Sequence, residues 1–425
     1  KRSSMDHPGR KILLSAAFLL GLISLLNCEK KSDPGGESHQ DQVDRLYGDY
    51  DQYFQTYLAG AVQAVGKPTI VLENLSDHFT VPKKIAITGT PYEIGFTVGH
   101  IASQFSRLLP RRSDANRELN EQIVEMYRRI YPQYLEIIRG ISAAYQVEFD
   151  QVDLTDMEYQ FFVELWWNLL NYDRFSQLTD FGRHGDVGPT QNCSVASYFT
   201  GERQIVGRNF DNSSDRPHYF ATMEVNGCYR MMGHIVYSMY HWVVDGINEK
   251  GLSIDCATNG EEYFWQELYP QEPAVFAGHM ARIVMDTCAT VDEAVALIGS
   301  VRVWFPNEGL HWVIADAAGD SAVVEFDLGR KMVVIDKPGP YELMTNTALQ
   351  KGEDYVTGNC WRYQRAKPML EAGIAGTGEM LNIMSSVRPT SGGARTLWTS
   401  IMDVNSRTFE VYYRKEYSRK YVFGF

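Results

Sequence analysis

The stretch "QNCSVASYFTGERQIVGRNFD", residues 191–211, holds a thiol, a guanidinium and a carboxylate within reach of one hairpin. An apolar, β-branched run follows Cys193. Gly207, Arg208, Asn209 and Asp211 then arrive close together. Free cysteine is among the most buried residue types, and exposed Arg–Asp pairs are common and weak. The stretch therefore reads two ways: as core packing beside an ordinary ion pair, or as a nucleophile with charges placed to tune it.

The elements around it favour the second reading. Helical spacing runs from about Gln42 to Val65, through Val43, Leu46, Tyr47, Tyr50 and Phe54. A strand in "KKIAITG" leads into a helix entered at Pro91 with Glu93 in its first turn, and helical periodicity returns through "LNEQIVEMYRRIYPQYLEIIRGISAAYQV". From Cys193 onward the texture turns to strands, interrupted by helices in "TVDEAVALIGSV", capped by Thr290 and Glu293, and in "CWRYQRAKPMLEA". "GIAGTG" (373–378) follows a helix rather than a strand and reads as a loop. Cys193 thus stands at the seam. Cleavage at Asn192–Cys193 would leave one residue carrying both a nucleophile and a free α-amine. That amine titrates near pH 8 and can act as the general base without a histidine. Arg208 favours the thiolate, and Asp211 can orient the amine.

The 425 residues are 44% hydrophobic and 22% charged, enough for a sizeable core. A net charge of −13 argues against a nucleic-acid partner. Basic residues Lys1, Arg2, Arg10 and Lys11 precede the apolar run Ile12–Leu26, too short for a membrane span and suited to an export signal over residues 1–27. Cys28 follows at once, as in a bacterial lipoprotein processing site. The expectation is an exported lipoprotein anchored by lipid on Cys28, with a polar tether over residues 28–41. A plain secretion signal cut nearby is the alternative. The six cysteines contain no C-x-x-C pair, and there is no H-E-x-x-H, G-x-S-x-G or phosphate-binding loop. Neither metal nor organic cofactor is expected. His218, His234, His241 and His311 lack a recognisable papain-like context.

Five motifs in order carry a resemblance. They are "GTPYEIG" with Gly99 and His100; "NCSVASYF" with "VGRNFD"; "DGINEKGLSI" (245–254); "IADAAGDSAVVEFD"; and "ARTLWTSIMDVNSRTFEVYY". Over about residues 84–415 the chain resembles the acyl-coenzyme A:isopenicillin N acyltransferase-like family, within the choloylglycine hydrolase and linear amide C–N hydrolase group of N-terminal nucleophile hydrolases. The resemblance implies an α+β fold: a four-layer αββα sandwich over residues 193–425, with residues 42–192 as a helical pro-segment packed over the thiol. It implies Cys193 as nucleophile flanked by Arg208 and Asp211. Asn259 and Asn346 would be oxyanion donors, and Arg362 a further site residue with Arg365 the other candidate. Asn259–Gly260 also reads as a simple turn, and Thr347 stands where relatives often have histidine. The implied activity is hydrolysis of linear, non-peptide amides of small N-acyl compounds through a thioester, after self-cleavage into two associated chains. An acyltransferase on the same scaffold, or a non-catalytic binding lipoprotein, are the alternatives.

Overall fold

The structure is a computed structural model. It describes residues 54–74, 83–104, 108–162, 193–212, 218–236, 240–259, 270–305, 309–327, 329–335, 337, 339–390 and 394–425. The expected signal, tether, Cys28 and Asn192 lie outside them.

Two sheets face each other. The larger runs β1 (Ile70–Asn74), β2 (Lys83–Gly89), β5 (His218–Val225), β6 (Met231–Val236), β7 (Val243–Asn248), β8 (Leu252–Asn259), β11 (Gly309–Asp316), β12 (Ser321–Phe326) and β13 (Met332–Ile335). Every pairing in it is antiparallel except β2 with β5. The smaller sheet, all antiparallel, runs β14 (Tyr341–Met344), β3 (Ser194–Phe199), β4 (Gln204–Asn212), β15 (Arg395–Asp403), β16 (Thr408–Tyr413) and β17 (Tyr421–Gly424). A separate parallel pair joins β9 (Val275–Phe276) to β10 (Val303–Trp304).

Helices cover the outer faces. In the first half lie α1 (Pro91–Gln104), α2 (Arg117–Ile130) and α3 (Pro132–Ala144). Next come α4 (Ala277–Thr287), packed on β7 and β8, and α5 (Val291–Gly299), packed on β11 and β12. Beyond α6 (Glu353–Asn359), α7 (Trp361–Glu371) packs on β14, and α8 (Thr377–Ser386) packs on β4 and β15. The inner faces meet where β11 touches β3 and β4, and where β12 touches β14. This is the four-layer αββα order. A strand covered on both faces is buried throughout, which is why β4 carries no exposed residue.

Local signals hold in detail. Thr90 and Glu93 exchange bonds at the start of α1: Thr90 N donates to Glu93 Oε2 at 2.9 Å and Glu93 N donates to Thr90 Oγ1 at 3.2 Å. Thr290 accepts from Glu293 N as expected, while the Glu293 carboxylate accepts from Ala289 N. Helix α4 escapes a periodicity search because ten of its eleven residues are buried, leaving no polar face. Helix α8 begins within the glycine-containing stretch expected to be a loop.

The first half is helix-rich with a strand in "KKIAITG", as expected, but it does more than cover the thiol with helices. Its strands β1 and β2 extend the larger sheet, and β2 pairs along seven residues with β5 from beyond Cys193. Polar contacts tie the halves as well. The Glu158 carboxylate accepts from Phe276 N at 2.6 Å, His241 Nε2 donates to Glu158 O at 2.7 Å, and Tyr131 OH donates to Asp286. Helices α1 and α3 cross in backbone contact. A Cβ on Gly140 would lie 2.1 Å from Tyr92 O, and one on Gly95 would lie 2.0 Å from Ile137 O. Gly140→Ala should therefore separate the pair and destabilise the protein by about 1–3 kcal/mol, read as a lower denaturant midpoint. An unchanged midpoint would show that the crossing is looser than this.

Candidate active site

Strand alternation sorts the site residues. On β4, Gly207 abuts Met380 and Met384 of α8, and Asn209 Nδ2 donates to Met384 O at 2.7 Å. Odd-numbered β4 residues therefore face the helix layer. Arg208 and Phe210 face the space between the sheets. Val195 lies directly opposite Arg208 in the β3–β4 register, so Cys193, two residues earlier, shares the face of Arg208.

Cys193 is 1% exposed, and Arg208 Nη2 donates to its sulfur at 3.5 Å. The same guanidinium donates to Val244 O on β7 and lies over the rings of Phe210 and Trp398, 5.0 and 5.9 Å from their centroids. Burial works against its charge, but the neighbouring Cys193 sulfur and the Asp245 carboxylate hold the guanidinium firmly protonated. Asp245 received no role in the sequence reading. It is fully buried and takes bonds from His234 N (2.9 Å), His234 Nδ1 (2.8 Å), Trp398 Nε1 (2.9 Å) and Ser400 Oγ. Burial raises its pKa, but His234, Arg208 and Ser400 more than reverse that and keep it ionised. Asp255 faces it across β7–β8; burial and the Asp245 charge push its carboxyl well above the usual range, so it stays protonated. The available signal was a carboxylate inside the apolar strands "VVDGI" and "LSIDCA".

From the opposite side comes α7. Arg362 Nη1 donates to Cys193 O and, at 3.1 Å, to Ser194 Oγ, while Nη2 donates to Asn346 Oδ1 at 3.1 Å. Arg365 is exposed, and it is Arg362 that reaches Cys193. Asn346 Nδ2 donates to Thr258 O at 2.7 Å and Thr258 Oγ1 at 2.9 Å. Both its amide hydrogens thus go to β8 in the continuous chain, rather than standing open for an oxyanion. Thr258 precedes Asn259, which is buried at the end of the same strand. The structure therefore gathers Cys193, Arg208, Arg362 and Asn346 by direct bonds, with Asn259 adjacent.

Asp211 is brought near by charge rather than by contact with the thiol. Its Oδ1 accepts from Thr396 Oγ1 at 2.6 Å, and its Oδ2, buried, has no hydrogen-bond partner among the described residues. Burial raises its pKa to about 7, against the pull of the Thr396 hydroxyl, Arg362 and Arg208. Among the described residues no cluster of three metal-ligating groups occurs, and no helix there is long and apolar enough to cross a membrane.

Residues 176–368 match the family described as linear amide C–N hydrolases, choloylglycine hydrolase family. That match takes in a little under half of the chain. It contains all six candidate residues: Cys193, Arg208, Asp211, Asn259, Asn346 and Arg362. The chain is 34% identical over 113 residues to penicillin V acylase of Pectobacterium atrosepticum, a match that takes in 24% of this chain and 30% of that relative's length. Penicillin V acylase from Agrobacterium tumefaciens is similar in structure at a TM-score of 0.43 and 18% identity, over 55% of this chain and 86% of its own. A mutant conjugated bile acid hydrolase from Clostridium perfringens is similar at the same score and identity, over 55% of this chain and 92% of its own. At that level these two likenesses add nothing to what the layers themselves show.

The Asp211 carboxyl yields a pH signature. Its proton is held in the folded chain up to about pH 7 and lost from the unfolded chain near pH 4. The folded state then binds the extra proton between those values, so stability falls as pH rises through them and is level outside. In uncleaved Cys193→Ala protein, adding Asp211→Asn should remove a fall on the order of 4 kcal/mol between pH 4 and 7. Parallel stability curves for the two proteins would show that Asp211 is ionised throughout.

Proposed function

We propose that the protein is a self-processing N-terminal-cysteine hydrolase of linear, non-peptide amides, acting on small N-acyl compounds. The observation that carries the reading is the grip on Cys193: one buried arginine on its sulfur and another on its carbonyl, inside the stretch that matches a family of amide hydrolases. A purely structural cysteine has no use for two desolvated guanidinium groups.

In processing, Cys193 Sγ attacks the carbonyl carbon of Asn192 and the C–N bond between the two residues breaks. The nitrogen keeps the electron pair, takes up the proton that the thiol gives up and becomes a free amine, while Asn192 becomes a thioester. Water then hydrolyses the thioester, leaving the Asn192 carboxylate and the Cys193 thiol. In turnover, the new amine takes the thiol proton as sulfur attacks the substrate carbonyl, and returns it to the departing amine. Water resolves the acyl thioester to the carboxylic acid. Arg208 stabilises the thiolate form, and the open Oδ2 of Asp211 accepts from the new ammonium. Asn259 donates to the oxyanion; Asn346 joins it by giving up one bond to Thr258. The chains 28–192 and 193–425 stay associated through β2–β5 pairing. The name of the 34% identical relative, penicillin V acylase, suits a small acyl amide as substrate. We place the enzyme, by its basic and apolar first residues, at a membrane surface after export, held by lipid on Cys28.

Purified processed protein, offered acyl amides differing in acid length and amine, should release acid from at least one and pass through an acyl adduct on Cys193 visible by mass. Cys193→Ala should give no product and run as one uncleaved chain on a denaturing gel. Absence of any adduct in wild type, with amides or with a thiol-directed acylating probe, would replace the enzyme by a binding protein. Cys28→Ser should move the protein from the membrane fraction to the soluble one; a variant still in the membrane fraction would rule out the lipid anchor.

A further inference from the structure

Glu325 and His311 are fully buried and belong to no part of the chemistry above. They sit on adjacent strands, β12 and β11, and His311 lies across from Ala257, two residues before Asn259. His311 Nδ1 donates to Glu325 Oε1 at 2.9 Å. Two further donors reach the same carboxylate: Leu349 N to Oε1 at 2.9 Å and Gln350 N to Oε2 at 3.0 Å. The Gln350 side chain returns to Phe326 O at 3.0 Å. Burial raises the Glu325 pKa, but the bonds from His311, Leu349 and Gln350 outweigh it and hold the group ionised.

A buried carboxylate with three donors is a fixed point, and what it fixes is the segment that follows β14. Leu349 and Gln350 open the short 3-10 turn Leu349–Lys351. Asn346 lies three residues before Leu349, along buried Thr347 and Ala348. Asn346 is the brace between Thr258, beside Asn259, and Arg362, which holds the Cys193 carbonyl. Two anchors on that short span leave Asn346 little freedom.

We propose that Glu325, set by His311, is a positioning residue that registers Asn346 and Arg362 against Cys193 through the backbone of Leu349 and Gln350. The assignment rests on the amidase reading. Its consequence is selective: acyl chemistry at Cys193 depends on donors held in register for the oxyanion, whereas simple alkylation of the same sulfur does not. Glu325→Gln is the informative change. Both carboxylate oxygens receive N–H donors, so a glutamine in either orientation sets an N–H against an N–H and displaces the turn.

Processed wild type and Glu325→Gln should be compared with two probes, iodoacetamide for alkylation and p-nitrophenyl hexanoate for acylation and turnover. Glu325→Gln should lower kcat for the ester at least tenfold with KM within twofold, while the alkylation rate stays within twofold. In an Asn346→Ala background the same change should add less than a twofold loss, since both act through one residue. If Glu325→Gln does not fold, His311→Phe keeps the ring volume and removes the Nδ1 donor, and should show the same split at smaller size. Equal loss of both reactions, or loss of neither, overturns the positioning role. Additive loss with Asn346→Ala overturns the route through Asn346. Wild type that is alkylated yet never acylated overturns the amidase reading, and this assignment with it.

Discussion

A guanidinium removed from water loses several kcal/mol of hydration, and the fold around it must return that through bonds and fields. Arg208 is completely buried between the two sheets. What meets it is a backbone carbonyl, a sulfur, two aromatic faces and, one residue past the carbonyl, the Asp245 charge. Asp245 in turn draws on β6 through His234 and on β15 through Trp398 and Ser400. Trp398 closes the circuit by stacking on Phe210 at 4.0 Å and on His234 at 4.4 Å. The sheets are therefore registered against each other by one charge and its compensation, and the thiol is a member of that set rather than an addition to it.

Cys193 is also gripped from the helix layer. Arg362 crosses from α7 to the Cys193 carbonyl, so the residue is fixed at its backbone from one side and at its sulfur from the other. A backbone held at its carbonyl and a side chain held at its tip leave few rotamers, and that is what attack on a neighbouring bond requires. The same arrangement explains the burial of Ser194, whose hydroxyl accepts the second bond from Arg362 Nη1.

Parts of this were legible in the sequence for identifiable reasons. Cys193 and Arg208 are one hairpin apart, so proximity was legible, while their common face follows from the β3–β4 register. The cap residue Thr290 was legible because a cap is local. Asn346 and Arg362 came only with the family resemblance, since no local rule places a loop amide and a helix arginine on a distant cysteine. Asp245, Asp255 and the Glu325–His311 pair went unread because their partners come from other strands. Their one local mark is a charge inside an apolar run. The strands β1 and β2 illustrate the same limit: "KKIAITG" reads as a strand, but nothing near it announces that its partner is β5, more than a hundred residues later.

Asp211 links covalent state to electrostatics. In the continuous chain its carboxyl is neutral well above the usual range, because burial withdraws solvent and only the Thr396 hydroxyl replaces it. An ionised Asp211 there would add an unpaired charge to a region already holding Arg208, Asp245 and Arg362, whose own fields are spoken for. On the proposed reading, breaking the bond before Cys193 introduces an ammonium from which the unpartnered Oδ2 of Asp211 can accept. The carboxyl then gains a cation and its pKa falls, so the proton it held becomes available as the amine appears. The cut would thus change the charge state at Asp211, from a neutral carboxyl before processing to one half of an ion pair after it.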